Sequence, residues 1–439
     1  MSRNKIHETH NDPIKAVLIG IELDRNRQLF NVQDSLDELE LLSQTAGIEV
    51  VGRETQRLSS PNPATFIGKG KVNEVCQIAE SLKADFVIFD DELSPRNYRE
   101  LEKGFGNNIR VIDRTTLILD IFAQHADTRE GKLQVELAQY EYLYPRLTRA
   151  WSHLARQAGG GGGRSGGVGG VGLRGPGETQ LEVDRRQIRD RISRLKKDIE
   201  KVREHRKRYR KQRKQSQFPV VALVGYTNAG KSTLLNSLTQ ADVYVADQLF
   251  ATLDPTTRRL GLPGGNVILL SDTVGFIQKL PTNLVAAFRA TLEEITEADL
   301  LLHVVDLSHI NAISQWRSVN DTLKEIDAGN IPMLTVLNKC DIVEKPGLLV
   351  ERNPDFKDSL IISALEKKGL SELTFKLQEQ LFERYELLEV KIPYRFGQLI
   401  SLFHNYGNIE QIEHGIESVF IKGKLPLRLS PDFEKFRVI

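Results

Sequence analysis

The sequence predicts a multidomain α/β protein. An N-terminal α/β domain leads into a long antiparallel helical hairpin, then a phosphate-loop domain and a small α/β C-terminal domain. Three observations predict this. Short apolar runs alternate with helical patterns over residues 1–113. A heptad-like apolar seam runs along a strongly basic stretch that begins near residue 182. The apolar run Val220–Val224 enters the glycine-bounded loop GYTNAGKS at 225–232, and a helical pattern follows.

In the first domain, residues 1–113, Ala16–Leu23 reads as a buried strand and Ser35–Thr45 as a helix. Ile48–Val51 is a second strand, Lys71–Leu82 a helix, and Phe86–Asp90 (FVIFD) a buried strand. Ser94 is an N-cap ahead of Arg96–Lys103, and Asn108–Ile112 is a further strand. Apolar strands that alternate with helices argue for a mostly parallel sheet. The GKGK at 68–71 lacks phosphate-loop spacing and reads as a surface turn.

Residues 114–217 form the hairpin. Its first helical pattern spans about Leu117 to Ala155, with Pro145 kinking or splitting it. Its second runs from about Glu182 to Gln215, with Ile188, Ile192, Leu195, Ile199 and Val202 stepping by 4, 3, 4 and 3. At 1.5 Å per residue this helix is about 50 Å long. The connector, Gly159–Gly177, has twelve glycines in nineteen residues. An ordinary helix–helix turn takes about two to eight residues. The connector reads either as a flexible linker or, with Arg164 and Arg174, as a slender finger for a narrow RNA-lined cavity.

The formal net charge of +1 conceals an asymmetry. Between Arg185 and Lys214, 16 Lys and Arg stand against four Asp and Glu, a net +12, so the rest of the chain carries −11. Arg206, Lys207, Arg208, Arg210 and Lys211 form the densest part, past the end of the apolar seam. That density exceeds what a solvated helix face needs and points to a polyanion such as RNA.

The third domain, 218–382, carries four motifs in order. They are GYTNAGKS, FATLD at 250–254, DTVG at 272–275 and NKCD at 338–341. In the first, Gly225, Tyr226, Thr227, Asn228, Ala229 and Gly230 present backbone N–H groups that can wrap a phosphate, helped by the following helix N-terminus. Lys231 reaches the β- and γ-phosphates and Ser232 ligates Mg²⁺. Asp272 ends the apolar run Val267–Leu270, placing its carboxylate to reach Mg²⁺ through water; Thr273 and Val274 follow, and Gly275 offers an N–H to the γ-phosphate.

In the fourth motif, Asn338, Lys339, Cys340 and Asp341 follow the run Met333–Leu337. Asp341 accepts two hydrogen bonds from the guanine N1–H and 2-amino group. Adenine offers neither, and such selection reaches about 10⁴-fold when a buried group is left unpaired. Ser363, Ala364 and Leu365 follow Leu360–Ile362 and form a further base-contacting loop. These motifs make the region a P-loop GTPase domain, with GTP as substrate, GDP as product and Mg²⁺ as cofactor.

Switch I falls among Phe250, Ala251, Thr252, Leu253 and Asp254, with Thr256 and Thr257 as competing threonines. Phe276 stands where Ras-like proteins carry the glutamine that orients the attacking water. Phenylalanine cannot do that, so no catalytic side chain is assigned and intrinsic hydrolysis is expected to be slow.

Residues 386–439 form the tail domain, with strands Leu387–Tyr394 and Ile416–Ile421 flanking the helix Gly397–Asn405. No apolar run is long enough for a membrane span, and MSRNKIHETHND at the start has no signal-peptide core. Two cysteines, Cys76 and Cys340, give no disulfide framework, which fits a reducing cytoplasm.

Several segments together resemble the HflX family of translational GTPases, in the Obg–HflX group. They are FIGKGKVNE (66–74), FDDELSPR (89–96), VIDRTTLILDIFAQHADTREGKLQVELAQ (111–139), GPGETQLEVDRR (175–186) and the nucleotide motifs. FATLDP also resembles the FTTLxP switch segment of Obg-like GTPases, which favours Thr252 as the metal-ligating threonine beside Ser232. The resemblance implies binding to the large ribosomal subunit and its rRNA through the N-terminal domain and hairpin. It implies action on stalled or hibernating ribosomes, whose subunits such proteins separate, notably under heat stress. It also implies a hairpin loop that approaches the peptidyl-transferase centre, and a hydrophobic residue at the glutamine position. The Gly159–Gly172 run is longer than relatives often carry. Two other readings stand beside this one: an ATP-assisted rRNA remodelling enzyme, and a GTP-gated factor that only docks on an assembling RNA–protein particle. The free protein is expected to be a monomer.

Overall fold

The structure is a computed structural model that describes residues 13–23, 30–106, 108–146, 180–215, 218–239, 249–250, 256–279, 294–382 and 385–438. The chain forms two compact units. One comprises 1–260 with 269–368, the other 261–268 with 369–439.

The first unit opens with β1 (Ile14–Leu23), α1 (Val32–Thr45), β2 (Ile48–Leu58), α2 (Lys69–Ser81), β3 (Phe86–Phe89), α3 (Pro95–Phe105) and β4 (Arg110–Asp113). The strands form one parallel sheet in the order β2-β1-β3-β4. Strand period 2 sends alternate residues to opposite faces. Ala16 and Leu18 pack with Leu36, Leu39 and Leu42 of α1, while Val17, Ile19 and Ile21 join Val72 and Val75 of α2 and Leu101 of α3. Ser94 caps α3 with a reciprocal capping box to Asn97. The GKGK segment is not a turn: α2 starts at Lys69, and Lys71 pairs with Glu54 and Glu74 at 2.7 and 2.8 Å.

The first helical pattern breaks earlier than Pro145. α4 (Arg114–His125) ends at Ala126, and Thr128 caps α5 (Arg129–Leu143) by accepting from the Gly131 N–H. A short 3₁₀ turn, Tyr144–Arg146, then accommodates Pro145. A side-chain cap competes with helix continuation, and Thr128 supplied that unnoticed signal. The second pattern is one helix, α6 (Gln180–Gln215). Ile188 and Leu195 of its seam are buried, and α6 lies along α5 with ion pairs Arg191–Glu136 and Lys196–Glu141 at 2.6 and 2.8 Å. Such exposed pairs are each worth less than about 1 kcal/mol, so the apolar seam supplies most of the attraction. Residues 159–177 lie outside the described residues.

The nucleotide domain is built on a six-stranded sheet ordered β10-β9-β8-β5-β7-β6. Its strands are β5 (Val220–Gly225), β6 (Thr256–Gly261), β7 (Val267–Asp272), β8 (Leu300–Asp306), β9 (Met333–Asn338) and β10 (Leu360–Ile361). β10, β9, β8, β5 and β7 run parallel, so Gly225, Asp272, Asp306, Asn338 and the loop after Ile361 all emerge at one sheet edge. Ligands of open α/β sheets bind at that carboxyl edge.

The second unit contains the helix Leu370–Leu381 and an antiparallel sheet of β11 (Tyr385–Pro393), β13 (Ser418–Pro426) and β12 (Asn408–His414), in that order. Phe403 and Phe433 meet edge to face at 5.5 Å in its core. The strand expected to begin at Ile416 begins at Ser418, because residues 415–417 form the β12–β13 turn and leave Ile416 fully exposed. β12 itself was missed. It is an edge strand whose side chains are mostly exposed, so its sequence lacks the apolar alternation of a half-buried strand.

Candidate nucleotide-binding site

The phosphate loop joins β5 to α7 (Lys231–Thr239). Its shape requires glycine at both ends. Gly225 has φ +152°, and a Cβ there would lie 2.2 Å from the Val304 carbonyl oxygen. Gly230 has φ +91°, and a Cβ would lie 2.3 Å from Asn338 Nδ2. Lys231 opens the helix and is 7 % exposed. Its Nζ donates to the carbonyls of Gly225 and Tyr226 at 3.1 and 2.8 Å. Burial lowers the Lys231 ammonium to about 8, only partly countered by the negative charge of Asp272. A cation held so far from water favours binding of a strong anion.

Ser232 Oγ donates to Asp272 Oδ2 at 2.7 Å, bringing the hydroxyl expected to ligate Mg²⁺ beside the carboxylate expected to reach it through water. Asp272 is fully buried, and its Oδ1 accepts from the Thr273 N–H at 3.0 Å. Thr273 Oγ1 donates to the Leu223 carbonyl at 2.6 Å. Gly275 packs so closely that a Cβ would lie 2.8 Å from Thr227 Cα and 3.0 Å from Lys231 Nζ. Phe276 is 3 % exposed and bonds both ways with the loop: its N–H donates to the Gly225 carbonyl at 3.0 Å, and its carbonyl accepts from the Thr227 N–H at 2.8 Å.

On the base side, Asn338 is buried and Lys339 adopts φ +64°. Lys339 Nζ pairs with Asp306 Oδ2 at 2.7 Å. Ser237 Oγ donates to the Ala364 carbonyl at 2.6 Å, and Ser363 Oγ accepts from the Glu366 N–H at 3.1 Å. Leu365 is 76 % exposed at the rim. Asp341 Oδ1 is buried and accepts no hydrogen bond among the described residues. An orphaned buried carboxylate oxygen fits a guanine edge, which brings two N–H donors.

Ala251, Thr252, Leu253 and Asp254 lie outside the described residues, as do Arg164 and Arg174. Phe250 has φ +59° and packs edge to face on Phe122 at 4.6 Å. Thr256 and Thr257 start β6, and the Thr257 hydroxyl lies 3.3 Å from that of Ser271 within the sheet. Arg206, Lys207, Arg208, Arg210 and Lys211 lie on α6, away from the motifs in sequence. Sequence reasoning missed Asp306 and Ser237. Asp306 ends the run Leu300–Val305, apolar except for His303, much the signature that marked Asp272. Ser237 carries no comparable signal.

A glycine-bounded loop at the edge of a parallel sheet, a buried lysine and an orphaned aspartate define a P-loop GTPase, an enzyme that hydrolyses GTP. The family comparisons agree: residues 220–339 match the family described as "50S ribosome-binding GTPase", and 33–123 and 125–213 match "GTP-binding GTPase N-terminal" and "GTP-binding GTPase Middle Region". The chain belongs to the HflX family of GTPases. It is 50 % identical over 366 residues to GTPase HflX of Alkalihalophilus pseudofirmus, covering 83 % of this chain and 82 % of that one. It is 44 % identical over 398 residues to GTPase HflX of Escherichia coli K12, covering 90 % of each. A solved GTP-binding protein from Sulfolobus solfataricus in complex with GDP aligns over 84 % of this chain and 100 % of that one, at 25 % identity and a TM-score of 0.41.

Proposed function

We propose that this GTPase binds the large ribosomal subunit through its rRNA and splits or rescues stalled or hibernating ribosomes under stress, in the cytoplasm. The observation that carries this reading is the pairing of a GTPase whose glutamine position holds Phe276 with a helix of local net charge +12. A buried phenylalanine cannot orient water, so a partner must complete the active site. The basic helix selects an RNA-rich partner. The description of the family matched by 220–339 supports the 50S subunit as that partner.

In the same reading, residues 225–232 wrap the phosphates, and Lys231 neutralises the β- and γ-phosphates. Mg²⁺ is held by Ser232 and Thr252, with Asp272 acting through water. Gly275 contacts the γ-phosphate. Asn338–Asp341 and Ser363–Leu365 hold the base, with Asp341 reading guanine. Arg164, Arg174 and the five residues Arg206, Lys207, Arg208, Arg210 and Lys211 contact rRNA. The Thr257 hydroxyl already has a partner in the sheet, which supports Thr252 as the switch threonine.

Co-sedimentation with separated ribosomal subunits in GTP, GDP and ATP tests the proposal. The expected result is GTP-dependent pelleting with the large subunit and loss of intact ribosomes from a gradient. Equal binding in GTP and ATP would favour the ATP-assisted alternative. Binding without loss of intact ribosomes would leave only a docking factor.

A further inference from the structure

The N-terminal sheet ends at the same junction as the phosphate loop. Asp90 and Asp91 follow β3, at the carboxyl edge where α/β sheets bind ligands. The cation held there is Lys279, three residues beyond Phe276. Its Nζ lies 2.5 Å from Asp90 Oδ2 and 2.7 Å from Asp91 Oδ1. Arg114, 1 % exposed, bridges Asp90 at 2.7 Å and Glu38. Ser35 Oγ donates to Asp90 at 2.6 Å. Glu38 accepts from the Tyr226 hydroxyl at 2.5 Å, and that hydroxyl accepts from the Gln278 N–H at 2.8 Å. Three carboxylates therefore face two cations in a largely buried space. Removing Lys279 leaves Arg114 alone against all three, and a buried charge without its partner is costly.

We propose that Glu38 and Asp90 of the N-terminal domain are positioning residues of the GTP site. Through Tyr226 and Lys279 they hold residues 275–279 against the phosphate loop, so that the N-terminal domain sets the preference between GTP and GDP. This rests on the site assignment proposed above. The segment is fastened at four points: two backbone bonds between Phe276 and the loop, the Gln278–Tyr226 bond, and the Lys279 ion pairs.

The two nucleotides act differently on these fastenings. A γ-phosphate recruits the Gly275 N–H and the Thr227 N–H beside it, and the Thr227 N–H is already bonded to the Phe276 carbonyl at 2.8 Å. Exchanging that bond moves the segment and strains its hold on Glu38 and Asp90. GDP ends at the β-phosphate and leaves the hold intact. The junction thus opposes GTP more than GDP, and by reciprocity GTP loosens the N-terminal domain from the switch. Phe250, in the switch I stretch, is seated on Phe122 of α4, the helix that directly follows β4 of the N-terminal sheet.

Fluorescent GTP-analogue and GDP affinities of the full chain test the proposal. Tyr226→Phe keeps the ring and removes only the hydroxyl, Glu38→Gln keeps the shape, and Lys279→Ala alters a partly exposed side chain. Each is expected to raise the GTP-to-GDP affinity ratio about 5- to 30-fold. Tyr226→Phe combined with Glu38→Gln should raise the ratio by less than the product of the two single effects, because both act on the Tyr226–Glu38 link. An unchanged ratio in Lys279→Ala and Tyr226→Phe, with melting temperatures near wild type, overturns the proposal. So does an equal change in both affinities. Lys231→Ala serves as the control for the site itself. If it binds both nucleotides like wild type, the site assignment fails. If it loses both while the junction variants leave the ratio unchanged, only the coupling fails.

Discussion

Asn338 joins the phosphate loop to the base loop: its side-chain nitrogen donates to the Ala229 carbonyl at 2.9 Å, and its side-chain oxygen accepts from the Ala364 N–H at 2.9 Å. The partners settle which end of the amide is which, since a carbonyl can only accept and an N–H only donate. Asn338 is 2 % exposed, so water does not compete for either bond.

Asn338→Ala orphans one buried carbonyl and one buried N–H, each costing about 1–3 kcal/mol. Affinities for GTP and GDP should fall together, by about 10- to 100-fold, because the staple serves loops that both nucleotides share. Calorimetric titration of each nucleotide checks this. A loss confined to GTP would place Asn338 in the γ-phosphate response instead.

Asp341→Asn should move the base preference from guanine towards xanthine. The new amide can donate to the xanthine 2-oxo group, whereas the guanine 2-amino group then meets a donor. Competition between GTP and XTP should reverse its order in the variant. Undiminished GTP binding would mean that the orphaned Asp341 Oδ1 does not face the base.

Lys231 is expected to make nucleotide binding pH-dependent. Its ammonium sits at about 8 in the folded chain against 10.5 ordinarily. Between these values the unfolded chain holds the proton and the folded chain does not, so this group's contribution to stability rises with pH from about 8 to about 10.5. Bound phosphates hold Lys231 charged. Above about pH 8, binding must therefore take up a proton, and affinity should fall by up to about tenfold per pH unit. Calorimetry at pH 8.5 in two buffers of different ionisation enthalpy reads that uptake directly. No uptake would mean that Lys231 is already protonated there.

Reversing the charge of Arg206, Lys207, Arg208, Arg210 and Lys211 should abolish stimulation of GTP hydrolysis by large subunits and leave intrinsic turnover unchanged. In the wild-type chain, stimulation should decline steeply between about 50 and 200 mM salt, since each neutralised phosphate releases counterions. Stimulation that survives both changes would shift the docking surface off α6.

Most of the candidate nucleotide site was legible because its residues lie close together along the chain or at strand ends. Gly225, Gly230, Lys231 and Ser232 fall within eight residues on a strand-to-helix turn, and Asp272 and Asn338 each end an apolar run. β1 and β3 of the N-terminal domain were legible because they are largely buried and read as continuous apolar runs, whereas the edge strand β2 runs on through half-exposed polar residues to Leu58, past the Ile48–Val51 stretch expected. β12 and the Thr128 break were not, because an exposed edge strand and a single cap alter few side-chain patterns.

By itself the sequence determined the nucleotide, the order of the domains and the one strongly basic helix. These rest on contiguous residues whose spacing is the chemistry. Only the tertiary structure decided that Tyr226 meets Glu38, 188 residues before it, and that Lys279 meets Asp90, 189 residues before it. The physical reason is that a lone buried charge is unstable until an opposite charge meets it. Which charges meet depends on how one sheet edge docks on another, and no local pattern along the chain encodes that.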